Sequence, residues 1–188
     1  RCDVYTTDVS GLIAARMSRA ASPIDHVILP EVVSKEPFGP VVRHGDDQWF
    51  DIVKWSLFAM IEAEELGLTA KNIDQQAKSA NPIIQRFVGA KGDFGKMLGL
   101  DNRWAYNIIK QVGNYGESFE RNLSTLGVDR GINKLWNRGG LMYAPPMRSG
   151  GALAWRQASA CHVVTRAGSN RTTGFRAGSS SDMARYCG

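Results

Sequence analysis

The feature that most constrains the fold is a run of apolar residues at helical spacing between Asp46 and Gly67. Its apolar positions are Phe50, Val53, Leu57, Met60 and Ile61. Asp46 and Asp47 precede the run, where the positive end of a helix favours acids, and Gly67 follows its last turn, where glycine commonly ends a helix. A helix with such a face must pack against a large apolar surface, which indicates a globular protein.

The composition of the chain agrees with this interpretation, since 43% of its 188 residues are hydrophobic and 22% are charged. The longest apolar stretch, Trp55 to Ile61, is far shorter than the ~18 residues that a membrane-spanning helix needs. The first residues lack a basic start and an apolar segment, so no export signal is predicted there. The three cysteines, Cys2, Cys161 and Cys187, form no Cys-x-x-Cys pair, and neither a zinc site nor a disulfide framework is predicted.

The net charge of +5 is concentrated in the last 40 residues. Residues 149–188 contain five arginines and one aspartate, whereas residues 1–148 are nearly neutral, with 18 basic and 17 acidic residues. A nucleic-acid-binding surface, which needs a broad basic footprint, is therefore not expected. Small residues dominate 149–188 and apolar residues are sparse, so this tail is predicted to be disordered.

The first 43 residues predict an alternation of strands and a helix. Cys2–Asp8 reads as a short strand, and Ser10 is a candidate cap for a helix that reaches Met17. His26–Leu29 and Gly39–Arg43 read as two further strands, bounded by prolines and turn residues. The predicted order at the start of the chain is therefore strand, acid and helix.

Asp8 is the candidate functional residue. It follows the first predicted strand, and two interpretations of it remain open. One is an acid that caps the following helix; the other is a carboxylate at the carboxyl end of a strand, where open α/β folds bind their ligands. In the second case the carboxylate suits a cationic ligand atom.

The rest of the chain predicts helices. A short helix follows Thr69, another starts at Asn81-Pro82, a pair spans Trp104–Val112 and Tyr115–Leu123, and a last helix covers Ile132–Trp136.

No catalytic or metal-binding motif accompanies these helices. The segment Gly89–Met97 lacks the second glycine and the Ser/Thr of a phosphate-binding loop and reads as a connector. The three histidines lack the spacing of a metal site. Glu62, Glu64 and Glu65 are predicted to form a solvated face of the long helix.

Four stretches of the sequence resemble a known family. They are RCDVYTTD at 1–8, SKEPFGPVVRHGDDQWF at 34–50, WAYNIIKQVGNYGE at 104–117 and GGLMYAPP at 139–146. With these stretches, residues 1–148 resemble the carboxyl-terminal half of the general L-amino-acid-binding periplasmic proteins of polar amino-acid ABC importers. Residues 149–188 fall outside the resemblance.

The resemblance implies the carboxyl-terminal part of a two-lobed type II periplasmic binding protein fold, of the α/β class and rich in helices. Residues 1–33 would end lobe two, residues 34–39 would form the return hinge, and residues 40–148 would complete lobe one with appended helices. The acid that matches Asp8 binds the α-ammonium group of the ligand in this family. The arginine and serine that hold the α-carboxylate have no counterpart in this chain.

The resemblance further implies a periplasmic monomer that takes an L-amino acid ligand and delivers it to the membrane permease subunits of an importer. The lobes close on the ligand about the hinge, and neither catalysis nor a cofactor is expected. Two alternatives share the fold: an enzyme such as a dehydratase, and the sensor lobe of a receptor. A second acid or base beside Asp8 would favour the enzyme, and a following membrane helix would favour the receptor.

Overall fold

The computed structural model describes residues 3–18, 22–34 and 37–147. All of them belong to the first of two units into which the chain divides, Arg1–Ala152. The tail predicted to be disordered, 149–188, lies outside the described residues. The α-helices of the described part are α1 (Val9–Ser18), α2 (Asp47–Glu65), α3 (Ile73–Gln76), α4 (Pro82–Phe87), α5 (Phe94–Met97), α6 (Trp104–Val112) and α7 (Tyr115–Asn122).

The strands predicted in the first 43 residues are not formed among the described residues. Residues 3–7, His26–Leu29 and Gly39–Arg43 have no regular secondary structure, and the bridge recorded in the described chain joins Leu135 to Met142. A strand exists only when a neighbouring strand accepts its hydrogen bonds, and these segments have no such neighbour here. The α/β class is therefore not confirmed by this structure, which is helical.

The long helix is confirmed, and its boundaries follow from its caps. The side chain of Asp46 accepts a hydrogen bond from the backbone N–H of Trp49 at 3.1 Å, which satisfies a free donor of the first turn. The helix ends at Glu65, and Gly67 then takes a φ of +68°, a conformation that favours glycine.

The core forms where α2 packs against α6 and α7. Trp55 of α2 contacts Phe94 with a ring-centroid distance of 4.9 Å, and Phe94 stacks on Trp104 at 5.9 Å. The buried residues of this cluster are Trp55, Ala59, Ala63, Leu68, Ile73, Ile84, Phe87, Val88, Leu98, Trp104, Ala105 and Ile109. The buried face of α2 carries Trp55, Ala59 and Ala63 and is covered by the elements that follow it in the sequence. Of the apolar positions predicted for this helix, Ile61 is buried, whereas Phe50 is 48% exposed.

The helix pair around Gly113 is confirmed, and a capping box fixes its second member. Asn114 accepts from the backbone N–H of Glu117 at 2.9 Å, and Glu117 accepts from the backbone N–H of Asn114 at 2.9 Å. The Asn114 amide also donates to the Leu68 carbonyl at 2.7 Å. The start of α7 is thereby joined to the turn after α2.

Two other predictions have different outcomes. Asn81 caps α4 through the backbone N–H of Ile83 at 2.9 Å, as the Asn-Pro pair predicts. The helix predicted over Ile132–Trp136 is wrong, because Gly131–Asn133 and Trp136–Arg138 are separate 3-10 turns. Between them, the carbonyls of Lys134 and Leu135 accept hydrogen bonds from the backbone N–H groups of Met142 and Gly140. A continuous helix would break these hydrogen bonds.

The glycine-rich segment after α4 is a turn that packs closely, at Gly89, on the backbone of Asn102. A Cβ atom on Gly89 would lie 2.0 Å from the carbonyl oxygen of Asn102, so only glycine fits there.

Across the described residues, no helix has the length and apolar character needed to cross a membrane.

Candidate functional site

Asp8 is the N-cap of α1. Its backbone carbonyl accepts from the N–H of Leu12 at 2.9 Å, and its side-chain Oδ1 accepts from the N–H of Gly11 at 2.7 Å. The expectation that Ser10 caps this helix is wrong, because Ser10 lies in the first turn and donates its hydroxyl to the Asp8 carboxylate. The negative charge of the Asp8 carboxylate also interacts favourably with the helix dipole at this end.

The Asp8 carboxylate is ionised and keeps acceptor capacity for a ligand. The Ser10 hydroxyl and the Gly11 amide both donate to it and hold its pKa below the usual value of 3.8. The Thr7 hydroxyl donates to Oδ2 at a longer distance of 3.3 Å. An ionised carboxylate offers about four acceptor positions, so one more donor, such as an ammonium group, can be accommodated.

Gly11 allows the carboxylate to lie close to the start of the helix. A Cβ atom at position 11 would approach Oδ2 of Asp8 to 2.9 Å and the methyl group of Thr7 to 2.9 Å. A side chain here would displace the carboxylate that the neighbouring donors position. The sequence shows that Gly11 follows Asp8 by three positions. It does not show their contact, which forms because the Asp8 carboxylate caps the helix.

Asp8 lines neither of two surface cavities found in the described part of the chain. These cavities, of about 450 and 170 Å³, are lined by other residues, the larger by residues between Glu120 and Lys134. Within the ranges that the structure describes, no group of three or more His, Cys, Asp or Glu side chains could hold a metal ion. Asp8 therefore stays a candidate ligand residue that lies outside both cavities.

The three glutamates of α2 do not form a solvated face, and the prediction that they do is wrong. Glu64 is buried, with 8% of its side chain exposed, and Arg130, 15% exposed, binds it through both terminal nitrogens at 2.5 and 3.0 Å. Arg130 also donates to the Asn133 carbonyl at 2.8 Å and lies 5.5 Å from the centre of the Tyr115 ring. This ion pair joins residues 66 positions apart, a separation at which sequence spacing carries no signal.

A glycine makes room for this ion pair. A Cβ atom on Gly116 would lie 3.0 Å from Cδ of Glu64 and 3.1 Å from Nη1 of Arg130. The pair therefore lies against the backbone of α7, and it ties α2 to the segment that follows α7.

Glu62 is a partly buried acid, and none of the ion pairs found among the described residues includes it. Burial raises its pKa from 4.5 to about 7, and the negative charge of Glu65 adds to the shift. Glu65 itself accepts a hydrogen bond from the Trp136 indole at 3.2 Å. The folded chain therefore keeps a proton on Glu62 at pH values where the unfolded chain has lost it.

Replacing Glu62 by Gln is expected to stabilise the protein at pH 8 and to have little effect at pH 4. Since the folded pKa is the higher one, the unfolded state releases its proton first, and stability falls as pH rises from about 4.5 to about 7. Glutamine cannot ionise and removes this loss. Urea unfolding at both pH values, followed by tryptophan fluorescence, measures the difference. The exposed Glu120→Gln change is the control, and an equal gain at pH 4 would contradict the assignment.

A second polar cluster lies on the surface between α3 and α6. Asp74 accepts hydrogen bonds from the Lys110 ammonium and the Tyr106 hydroxyl, and these bonds lower its pKa. The Arg103 guanidinium lies over the Tyr106 ring at 4.2 Å. All the charges of this cluster are partnered within the protein, so it is a surface contact between helices.

Known proteins resemble the chain over most of its length. The general L-amino acid-binding periplasmic protein of Rhizobium johnstonii is 58% identical over 153 residues, which is 79% of this chain and 45% of that protein. The glutamate/glutamine/aspartate/asparagine-binding protein of Rhodobacter capsulatus is 53% identical over 151 residues, 78% of this chain and 44% of its own. The chain is a relative of amino-acid-binding periplasmic proteins. The resemblance noted in the sequence is thus confirmed.

Other comparisons agree with this relationship. A putative amino-acid ABC transporter-binding protein of Escherichia coli K12 is 55% identical over 152 residues, 79% of this chain and 44% of that protein. A solved ABC transporter periplasmic binding protein from Brucella ovis with glutathione bound superposes with a TM-score of 0.74 at 52% identity, over 78% of this chain and 47% of that one. No protein-family model matches the chain. The chain spans just under half the length of the binding proteins that it matches.

Proposed function

We propose that the chain is the carboxyl-terminal part of the substrate-binding component of an amino-acid ABC importer. The observation that carries the proposal is an identity of 53–58% to proteins named as amino-acid-binding, one of which is named as a putative amino-acid ABC transporter-binding protein. The complete protein captures an L-amino acid in the periplasm and delivers it, as a monomer, to the membrane permease subunits. It carries out no chemistry on the ligand, and the relatives are named as binding proteins.

In this proposal residues 1–33 end lobe two, residues 34–39 form the return hinge and residues 40–148 complete lobe one. A ligand that contacts both lobes stabilises the closed state by the difference between its contacts in the two states. The described residues of the predicted hinge, 34 and 37–39, have no regular secondary structure. A hinge needs such a segment, because its backbone must absorb the change of angle.

Asp8 binds the α-ammonium group of the ligand in this proposal. Its lowered pKa keeps it ionised at neutral pH, and its remaining acceptor capacity suits an ammonium donor. Helix capping and ligand binding are compatible roles, because the cap occupies Oδ1, whereas Oδ2 accepts the longer bond from Thr7 at 3.3 Å. The groups that hold the α-carboxylate belong to the part of the fold outside this chain.

The ligand class follows from what the relatives are named for. The Rhodobacter protein is named for glutamate, glutamine, aspartate and asparagine, and the Brucella structure contains glutathione. The γ-glutamyl end of glutathione is a glutamine whose side-chain amide carries a substituent, and it keeps a free α-ammonium and α-carboxylate. We therefore propose recognition through the α-amino-acid headgroup, with γ-glutamyl peptides accepted beside acidic and amide amino acids.

Calorimetric titration of a chimaera tests the proposed function. In the chimaera this chain replaces the stretch of the Rhizobium protein that it matches, and glutamine, glutamate and glutathione are expected to bind at micromolar concentration. α-N-acetylglutamine, which lacks the ammonium group, and the dipeptide Cys-Gly, which lacks the γ-glutamyl group, are the matched control ligands. Equal binding of acetylglutamine, or no binding of any amino acid, would contradict the proposal.

The 188-residue chain by itself is expected to bind amino acids no more tightly than millimolar. A ligand held only through its ammonium group lacks the contacts that bridge two lobes and drive closure. Titration of the purified monodisperse chain with glutamate, glutamine, aspartate and histidine measures this directly. A micromolar dissociation constant for any of them would mean that the chain carries a complete site.

A further inference from the structure

The two oxygens of the Asp8 carboxylate are used unequally within the protein. Oδ1 accepts hydrogen bonds from the Ser10 hydroxyl and from the backbone N–H of Gly11, the latter at 2.7 Å. Oδ2 accepts the longer bond from the Thr7 hydroxyl at 3.3 Å. The hydrogen bond from Ser10 is the largest cause of the lowered pKa of Asp8, and the one from Gly11 is the second. These two donors therefore hold one oxygen and leave the other with most of its acceptor capacity.

Gly11 leaves space for the second oxygen because it has no side chain. A Cβ atom on Gly11 would lie 2.9 Å from Oδ2 of Asp8 and 2.9 Å from the Thr7 methyl group. The backbone of Gly11 does not take a positive φ, so its conformation does not require glycine. Alanine would also stabilise the helix more than glycine does. The contact with the carboxylate is thus the feature of this position that only glycine permits.

We propose that Ser10 and Gly11 are positioning residues for ligand binding: Ser10 holds Oδ1 of Asp8, and Gly11 keeps Oδ2 open to the ammonium group of the ligand. The proposal rests on the proposed function, which gives Asp8 its ligand. Both residues act through the carboxylate, and neither needs a contact of its own with the ligand. A carboxylate that is fixed before the ligand arrives loses less conformational freedom on binding, which strengthens the contact.

Gly11→Ala in the chimaera separates positioning from helix stability, because the two roles predict different results. Alanine keeps the backbone N–H and favours the helix, so a purely structural role predicts unchanged or tighter binding of glutamine. The positioning role predicts that the methyl group displaces Oδ2 and weakens glutamine binding about tenfold. Calorimetry measures the affinity, and far-UV circular dichroism checks that the helix is kept. Glutamine binding as tight as in the unchanged chimaera would overturn the role of Gly11.

Ser10→Ala and Ser10→Thr form a matched pair that tests the hydroxyl. Removing the donor with alanine is expected to weaken glutamine binding about threefold to tenfold, whereas threonine keeps the donor and is expected to keep the affinity within about twofold. Ser18→Ala is the control, since the Ser18 hydroxyl donates to the Ala14 carbonyl at 2.6 Å at the other end of the same helix. A loss in Ser10→Thr or Ser18→Ala equal to that in Ser10→Ala contradicts the proposal.

Two further measurements show whether these residues act through Asp8. In the Asp8→Asn chimaera, adding Gly11→Ala is expected to weaken glutamine binding less than it does beside the native aspartate, and full additivity would contradict the proposal. In the 188-residue chain without ligand, three-bond NMR couplings to the Asp8 methylene protons are expected to report one side-chain rotamer. Ser10→Ala is expected to give averaged couplings, and unchanged couplings would mean that Ser10 does not hold the carboxylate.

The outcomes distinguish this proposal from the proposed function. If glutamine binding is weakened by Asp8→Asn but not by Gly11→Ala or Ser10→Ala, this proposal alone fails. If the unchanged chimaera binds no amino acid, the proposed function fails and this proposal fails with it, because the carboxylate then has no ligand.

Discussion

Replacing Arg130 by Met is expected to lower the free energy of unfolding by about 3–5 kcal/mol, because it leaves the buried carboxylate of Glu64 without a partner. Arg130 supplies two hydrogen bonds to that carboxylate and a third to the Asn133 carbonyl. Its guanidinium also contacts the Tyr115 ring. Water cannot replace these donors without opening the contact between α2 and the segment after α7. Urea unfolding followed by tryptophan fluorescence measures the loss.

The matched control for this prediction removes both charges. The double variant Glu64→Leu with Arg130→Met leaves no buried charge unpaired, so it is expected to be less destabilised than Arg130→Met alone. Lys110→Met breaks the exposed pair with Asp74 and is expected to leave stability nearly unchanged, since surface pairs contribute little. A loss from Arg130→Met no larger than that from Lys110→Met would mean that the buried pair does not hold the helices together.

Replacing Asp8 by Asn in the chimaera is expected to weaken the binding of glutamine at least about thirtyfold, because the ligand ammonium loses its charged partner. Asparagine is as good an N-cap as aspartate, so α1 keeps its first turn. The substitution therefore separates the two roles of Asp8, which alanine would remove together. Calorimetry with glutamine and glutathione measures the affinity of both ligands.

Asp46→Asn is the matched control for this change. Asp46 also caps a helix through its side chain and is exposed, but the proposal gives it no ligand role. Its replacement is expected to leave the affinity for glutamine unchanged. If Asp8→Asn binds glutamine as tightly as the unchanged chimaera, Asp8 is a helix cap and nothing more.

The sequence by itself determined the elements whose signals are local. The ends of α2, the start of α4 at Asn81-Pro82 and the helix pair around Gly113 were all predicted, because a cap acts on amides within one turn of itself. The relationship to amino-acid-binding proteins was also visible in four stretches of sequence. Asp8 was predicted as a ligand contact from that resemblance, and this role stays a prediction.

Only the tertiary structure decided the environment of the glutamates and the state of the predicted strands. Glu64 is buried in an ion pair with Arg130, and both side chains lie against Gly116. The two charged residues are 66 positions apart, so no local sequence pattern predicts their contact. Glu62 titrates near pH 7 because packing removes water from it. Residues 26–29 and 39–43 have the composition of strands, but pairing requires a neighbouring strand, and the described residues supply none. Burial and strand pairing are properties of the surroundings, which composition alone does not contain.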